Sequence, residues 1–485
     1  MNAIFFLMIA VMAVSVVSGW IFRNKTSVNV IVPVLMLVLA ILSGLFCYPI
    51  LGGEVVDEGI FYVDPLSCVF IMLVVIIGCS ASFYSRAYIG LELEEGKIEN
   101  REHGVYYVLM AAFISIMVLT FTVRSMAIVW IGVGATTIVS TFLVGFYHSD
   151  EATEASWKYI ILCSVGITLA LAGMTLVYAA SLGSIDSNSA FDWPALMAVA
   201  DSLDPTMMKM AMTLIIIGFG TKVGFAPLHS WLPDAHSQAP SPVSGLLSAV
   251  LLNCAMYAIL RFYAVSEIVI PGFASSMLLI FGFISLAVAA FFIISSRDLK
   301  RMLAYSSIEN MGLIAIGFGI GSPLAISAAI IQMVAHSITK PVLFFSAGNI
   351  IQSYGTRNMN EIRGVSKKMP MTSFLMAAGT LAIVGVPPFA IFIGELDLIV
   401  STLDSHMYFE TILLMILLAI VFAGFIRHVF PMLSGDTDRN IDPHHSCCRY
   451  LPIIFLLACS LVAGLFMPET VRQWLENVIS LFEAV

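Results

Sequence analysis

Charge is scarce in this sequence. Lysine and arginine number 22 and aspartate and glutamate 31 in 485 residues, so 11% of the chain is charged. A soluble protein carries about 25%. With 60% hydrophobic residues, the composition excludes a soluble enzyme and a secreted scaffold. It also excludes a nucleic-acid binder, because no basic patch is present to follow a phosphate backbone. Cysteine is sparse and unpaired. Cys47, Cys68, Cys79, Cys163, Cys254, Cys447, Cys448 and Cys459 include no C-x-x-C pair, and six of them fall inside apolar runs. A zinc site or an iron–sulfur cluster therefore has no ligand set here. The cysteines, like the 27 methionines, read as apolar filler. No basic segment precedes the first apolar run, Ala3 to Trp20, as a secretory signal requires. Arg23 and Lys25 follow it instead, which reads as a retained first span.

Long apolar runs are abundant. A membrane span needs about 20 apolar residues, and fourteen runs qualify, at about 3–22, 28–51, 61–85, 105–123, 126–147, 158–181, 207–228, 243–264, 268–294, 302–321, 323–348, 371–399, 408–432 and 450–467. The fold class is an all-α polytopic membrane protein. Cytoplasmic loops collect Lys and Arg. With the N-terminus outside, sixteen of the 22 basic residues fall on the inner loops and span ends. These are Arg23, Lys25, Arg86, Lys97, Arg101, Lys158, Arg297, Lys300, Arg301, Arg357, Arg363, Lys367, Lys368, Arg427, Arg439 and Arg449. Four fall outside: Arg124, Lys209, Arg261 and Arg472. This asymmetry supports an even number of spans with both ends outside. The outer loops are acidic, with Glu54, Asp57, Glu58, Asp186, Asp192, Asp201 and Asp204, and they account for much of the net charge of −9.

The two remaining basic residues, Lys222 and Lys340, lie within spans. Ionisable groups inside a bilayer cost several kcal/mol, so each is a functional candidate. Lys222 precedes Pro227, which removes a backbone donor and should break its helix. Broken helices survive in a membrane only beside protein or a wet cavity. His229, Asp234 and His236 follow at once and read as a proton-accessible polar turn. Two prolines and the lack of a fourth ligand argue against a metal. His336 and Lys340, four residues apart, share one helical face and suit a relay pair. His336 is read as the sole mid-span histidine, which leaves a b-haem without a second axial ligand. Pro387 and Pro388 interrupt another run, with Glu395 and Asp397 just beyond. Glu395 is the stronger proton-carrying candidate. Glu309 lines a path into the membrane or faces headgroups. Two Pro-interrupted spans in matching places point to inverted repeats. Spans 4–8 and 9–13 each hold one as their fourth member, and an odd-numbered repeat must invert. The chain then divides into 1–104 with spans 1–3, 105–265 as the first five-helix repeat, 266–432 as the inverted second, and 433–485 with a loop and span 14.

These residues together resemble one family, the antiporter-like proton-translocating subunits of complex I and membrane-bound hydrogenases, shared with Mrp-type cation/proton antiporters. The stretch from Lys222 to Ser248 carries the resemblance, with Asp64-Pro-Leu-Ser67, His336 to Phe345 and Gly385-Val-Pro-Pro-Phe389 in support. Trp130 to Thr137, Ala155 to Tyr159 and Ser307 to Leu313 look most like hydrogenase-4 component F, which works beside a [NiFe]-hydrogenase or formate hydrogenlyase module. The resemblance implies fourteen helices with helices 7 and 12 discontinuous. It makes Lys222 the central switching lysine, Lys340 with His336 a bridging relay, and Glu395 the terminal exchanger. It implies the plasma membrane of a bacterium or archaeon, and a hetero-oligomer with hydrogenase- or complex I-like subunits. Iron–sulfur clusters, and a [NiFe] centre where the partner is a hydrogenase, would reside in those partners.

Two positions depart from the family pattern. Gly134 stands where span 5 usually has a glutamate facing the span-7 lysine, and Asn253 stands where span 8 often has a lysine or histidine. Three functions fit: a subunit translocating H⁺ or Na⁺ in a redox-driven complex, a subunit of a gradient-driven Mrp-type antiporter, or a non-pumping scaffold. The chain holds no redox centre of its own, so in the first of these its partners handle the electrons.

Overall fold

The structure is a computed structural model that describes residues 3–23, 27–186, 189–437, 441 and 446–483. Lys25 and Arg439 of the charge count lie outside these residues. The helices are α1 (Ala3–Ile21), α2 (Val28–Leu51), α3 (Pro65–Glu94), α4 (Asn100–Thr120), α5 (Met126–Val144), α6 (Asp150–Ser181), α7 (Trp193–Ala198), α8 (Pro205–Val223), α9 (Trp231–Gln238), α10 (Ser241–Leu246) and α11 (Leu252–Val269). They continue as α12 (Phe273–Ser295), α13 (Leu299–Ile320), α14 (Pro323–Tyr354), α15 (Val365–Lys368), α16 (Pro370–Ile383), α17 (Ala390–Asp404), α18 (Tyr408–Leu433), α19 (Cys447–Leu465) and α20 (Glu469–Glu483). A small antiparallel pair, β1 (Val56–Glu58) and β2 (Phe61–Val63), closes the loop between α2 and α3.

Thirteen of the described helical stretches are long and apolar enough to cross a membrane, counting α10 to α11 as one. Span 12 is the fourteenth and is split into α16 and α17. Span 7 is split into α8 and α9. This is an all-α membrane protein with two inverted five-helix repeats and discontinuous helices 7 and 12. The polar residues that read as loop signals in the sequence start the helices. Asp64, Ser149, Asp204, Asp298 and Ser322 each accept a backbone N–H three residues on, as N-caps do.

Burial separates the spans. The stretch Ser241–Val269 is fully enclosed and α13 is 89% buried, whereas α1, α2, α5, α6, α12, α18 and α19 are between 28% and 39% buried. The outer ring is apolar all round and presents its free face to lipid. The enclosed spans carry the polar side chains. Between α10 and α11, Leu247–Leu251 form a π turn, and such turns release backbone groups inside helices. The Ala249 carbonyl accepts from the Asn253 amide at 2.8 Å and the Ser337 hydroxyl at 2.9 Å.

The sequence reading requires three corrections. Lys300, Arg261 and Arg449, counted with the loops, are buried at 4%, 2% and 2% exposure. Arg261 folds back onto Asp64 in a two-pronged pair of 2.6 and 2.7 Å. The stretch after span 14 contains a further helix, α20, whose Val478, Ile479 and Phe482 are buried. Its apolar residues recur at helical spacing among charges rather than in one run, so a search for apolar runs passes over it. Helix α7 in the acidic 182–206 loop also went unread. It is anchored by Trp193, whose indole donates to the Arg261 carbonyl at 2.8 Å.

Candidate functional site

The first lysine sits at a helix break. Helix α8 stops at Val223, and Gly224 turns left-handed at φ 88°, a conformation glycine adopts without penalty. The break therefore begins three residues before Pro227. The indole of Trp231, at the start of α9, donates to the Thr221 carbonyl at 2.8 Å, so a carbonyl of the last turn of α8 is satisfied across the break. Lys222 is fully buried in the last turn of α8. Its Nζ donates to the Val133 carbonyl at 2.8 Å, to Thr136 Oγ1 at 2.9 Å and to Thr137 Oγ1. All three acceptors are neutral and all lie on α5. Cations are favoured at helix C-termini, and here that end, a carbonyl and two hydroxyls surround the ammonium. Gly134, next to Val133, leaves open space: a Cβ added there meets nothing within 4 Å.

The second lysine lies in the enclosed core. Lys340, fully buried on α14, donates from Nζ to the Leu303 carbonyl at 2.7 Å and to Ser306 Oγ, both on α13. His336, one turn back, is also fully buried, and neither ring nitrogen has a hydrogen-bond partner among the described residues. Ser337 beside it accepts from the Asn253 amide at 2.6 Å. Asn253 thus links spans 8 and 11 by a group that exchanges hydrogen bonds but holds no net proton.

Glu309 is enclosed by the helices rather than exposed at a surface. It is 1% exposed, both carboxylate oxygens lack a partner among the described residues, and it lies within electrostatic reach of Lys340 and Glu395. Glu395, on α17 just past the Pro387–Pro388 break, is buried against Gly385. A Cβ at Gly385 would stand 1.9 Å from Glu395 Oε2, and Gly385 has φ +67°. That glycine is what gives the carboxylate its place. Nearby in sequence to Glu309, Asn310 accepts from the Gln332 amide of α14 at 2.8 Å, with Gln332 Oε1 unpartnered among the described residues.

The polar turn after Lys222 is divided. Asp234 faces outward to Arg301 at 2.7 Å and Lys158 at 3.3 Å, tying α9 to α13 and α6. His229 is half-buried in the break, 6.3 Å from the Tyr305 ring. His236 turns inward and is fully buried, with its ring 5.9 Å from Phe344, one turn beyond Lys340. His336 is therefore not the sole histidine in the core. Asp397 faces away from Glu395 into a cavity of about 490 Å³, shared with Arg472 and Glu476 of α20. Sequence reasoning missed Lys300, Asn310, Gln332 and Gly385. The two amides carry no charge to mark them, and Lys300 sits among loop residues.

The profile of the NADH:quinone oxidoreductase/Mrp antiporter transmembrane family matches residues 124–423. The chain belongs to this family. It is 35% identical over 419 residues to a hydrogenase-4 component F homolog of Methylacidiphilum infernorum (isolate V4), covering 86% of this chain and 87% of that one. It is 28% identical over 436 residues to NADH-quinone oxidoreductase subunit N of Desulforudis audaxviator, covering 86% and 83%. A chain in the structure of the membrane-bound sulfane sulfur reductase, an archaeal respiratory membrane complex, superposes with a TM-score of 0.87 at 22% identity, covering 98% of this chain and 97% of that one. At that identity the superposition speaks to the fold alone.

Proposed function

We infer that this antiporter-like subunit translocates protons within a redox-driven membrane complex of the hydrogenase or complex I type. One observation carries the reading: His236, His336, Lys340, Glu309 and Glu395 are all buried and lie within electrostatic reach of one another in series, and among the described residues His236 Nε2, both His336 ring nitrogens and both Glu309 oxygens lack a hydrogen-bond partner. Buried polar atoms are almost always paired, and leaving one unmade costs about 1–3 kcal/mol, more for charged groups. A core built for stability alone avoids such atoms. A relay needs them, because each group must alternate between holding and releasing a proton. Lys222 serves as the switching lysine of the first repeat and Glu395 as the terminal exchanger of the second. Each charge biases its neighbour across a low-dielectric interior.

The redox drive is supported by the hydrogenase-4 component F relative. Electron chemistry, with iron–sulfur clusters and a [NiFe] centre or its counterpart, falls to partner subunits. The Lys/Arg asymmetry supports a plasma-membrane topology in which the α13 start and α14 end face the cytoplasm and both chain ends lie outside. Affinity purification through a tag on this chain, followed by mass spectrometry, tests the assembly. Recovery of an iron–sulfur protein with a hydrogenase-like large subunit is expected. Recovery of only small membrane subunits and other antiporter-like chains shifts the function to gradient-driven exchange.

A further inference from the structure

Lys300 is a buried lysine that the relay above does not use. It is 4% exposed at the start of α13, on the face rich in lysine and arginine. Its Nζ donates to the Ala239 carbonyl just after α9. Around it stand Arg357 and Asp298 from the loops and Glu92 from α3. Arg357 and Asp298 form a half-exposed pair at 3.7 Å above it. Glu92 is held by the Tyr147 hydroxyl at 2.8 Å and the Gln352 amide at 3.1 Å.

From Lys300 a route runs inward. Ser244 Oγ donates to the His236 carbonyl at 2.7 Å and to the Ala239 carbonyl at 3.2 Å, so one hydroxyl ties the carbonyl that holds Lys300 to the backbone of His236. His236 is within electrostatic reach of both Lys300 and Lys340. Its Nδ1 lies 2.8 Å from the Leu232 carbonyl. A carbonyl only accepts, so Nδ1 carries the hydrogen and Nε2 the free lone pair. That Nε2 is buried without a partner among the described residues. On α13 itself, Lys300 is followed by Leu303 and Ser306, which hold Lys340, and then by Glu309. At ~1.5 Å per residue, these positions climb about 13 Å into the membrane.

We propose that Lys300 is the proton-loading residue of the second repeat, receiving a proton at the Asp298–Arg357 surface and delivering it to His236 on the way to Lys340. The proposal rests on the translocation reading above. The transfer moves one proton from the Lys300 ammonium to His236 Nε2. The amine left behind is reprotonated from the basic face, and His236 is reset by passing its proton to Lys340. Such a relay carries H⁺ and not Na⁺, since an amine binds no metal ion while protonated.

A capping lysine at the end of α9 is the competing role, and substitution separates the two. Arginine keeps the cation and its hydrogen bonds but cannot be deprotonated, whereas histidine can. The complex, purified through this chain and reconstituted in vesicles with trapped pyranine, is driven by a valinomycin-clamped potassium potential. Lys300→Arg and Lys300→Met are expected to lose proton uptake, Lys300→His to recover part of it, and Lys340→Met to lose it as a control. Full uptake in Lys300→Arg reduces Lys300 to a cap and overturns the proposal, as does normal uptake in Lys300→Met while Lys340→Met fails. Normal uptake in Lys340→Met itself brings down the translocation reading, and the proposal with it.

Discussion

Lys222 and Lys340 are held by the same device, whose acceptors lie on equivalent helices. Each ammonium donates to a backbone carbonyl and to the hydroxyl three residues further on: Val133 and Thr136 for Lys222, Leu303 and Ser306 for Lys340. Each hydroxyl in turn donates to that same carbonyl, at 2.7 Å for Thr136 and 3.0 Å for Ser306. The acceptors lie on α5 and α13, the second helices of the two repeats. The lysines differ in what lies beyond. Lys340 has Glu309 within electrostatic reach, whereas only neutral groups contact Lys222.

That difference makes the two lysines separable. Lys222→Ala and Lys340→Ala should each abolish pumping by the reconstituted complex while leaving subunit composition intact. Each removes a cation together with its own hydrogen bonds, and the hydroxyls left behind still bond to their own helix. Normal proton pumping in Lys222→Ala confines translocation to the second repeat.

Gly134→Glu tests whether the missing family carboxylate matters. Nothing lies within 4 Å of a Cβ added at position 134, so the side chain has room and the variant should assemble, although a carboxyl in the middle of span 5 carries the cost of a polar group in the bilayer. Because Lys222 already has three neutral acceptors on α5, pumping should stay unchanged. A rise in protons moved per electron pair shows instead that the new carboxylate reaches Lys222 and that the native first repeat is impaired.

The carboxylates give a graded test. Glu395→Gln retains shape and hydrogen bonding but cannot release a proton, so pumping should be lost with the complex intact. Glu309→Gln should do the same, because Glu309 bridges Lys340 and Glu395. Normal pumping in Glu395→Gln moves the exit to Asp397, which lines the cavity of about 490 Å³ beneath α20.

Much of this was legible in the sequence, for physical reasons. A span must be apolar over its whole length, so the fourteen runs stood out, and a charge inside one is conspicuous. Lys222, Lys340 and Glu395 were found in that way, as was the pairing of His336 with Lys340. Direction along a short helix was not legible. His229, Asp234 and His236 are close in sequence, yet a helical turn of about 100° per residue sends Asp234 to surface ion pairs and His236 into the core. Lys300 was hidden because a cation next to Arg301 at a span end looks like any other loop charge. Only the folded position of α9 reveals that it is covered.

The Asp64–Arg261 pair makes a prediction about stability rather than transport. Both side chains are buried, and Asp64 also caps α3 through Ser67. Removing one partner of a buried pair leaves an unpaired charge and costs roughly 3–5 kcal/mol. Asp64→Asn should therefore lower the melting temperature in detergent strongly. Asp64→Asn with Arg261→Met should lower it less, since no charge remains stranded. A double variant as unstable as the sum of its parts places the contribution in the cap and not in the ion pair.

Gly385→Ala tests the geometry of the exchanger with the smallest change available. The added methyl would stand 1.9 Å from Glu395 Oε2, and φ is +67°, a region where a side chain costs about 1–2 kcal/mol. The carboxylate is the flexible partner, so it should move and the helices hold. The expected outcome is a complex of normal composition with slowed pumping. Gly183→Ala is the matched control: it has φ +95° but nothing within 4 Å of the added carbon. It carries similar backbone strain in a loop away from Glu395, and it should pump normally. Equal pumping in the two variants shows that the contact with Glu395 sets nothing. A defect confined to Gly385→Ala assigns that glycine to the positioning of the exchanging group.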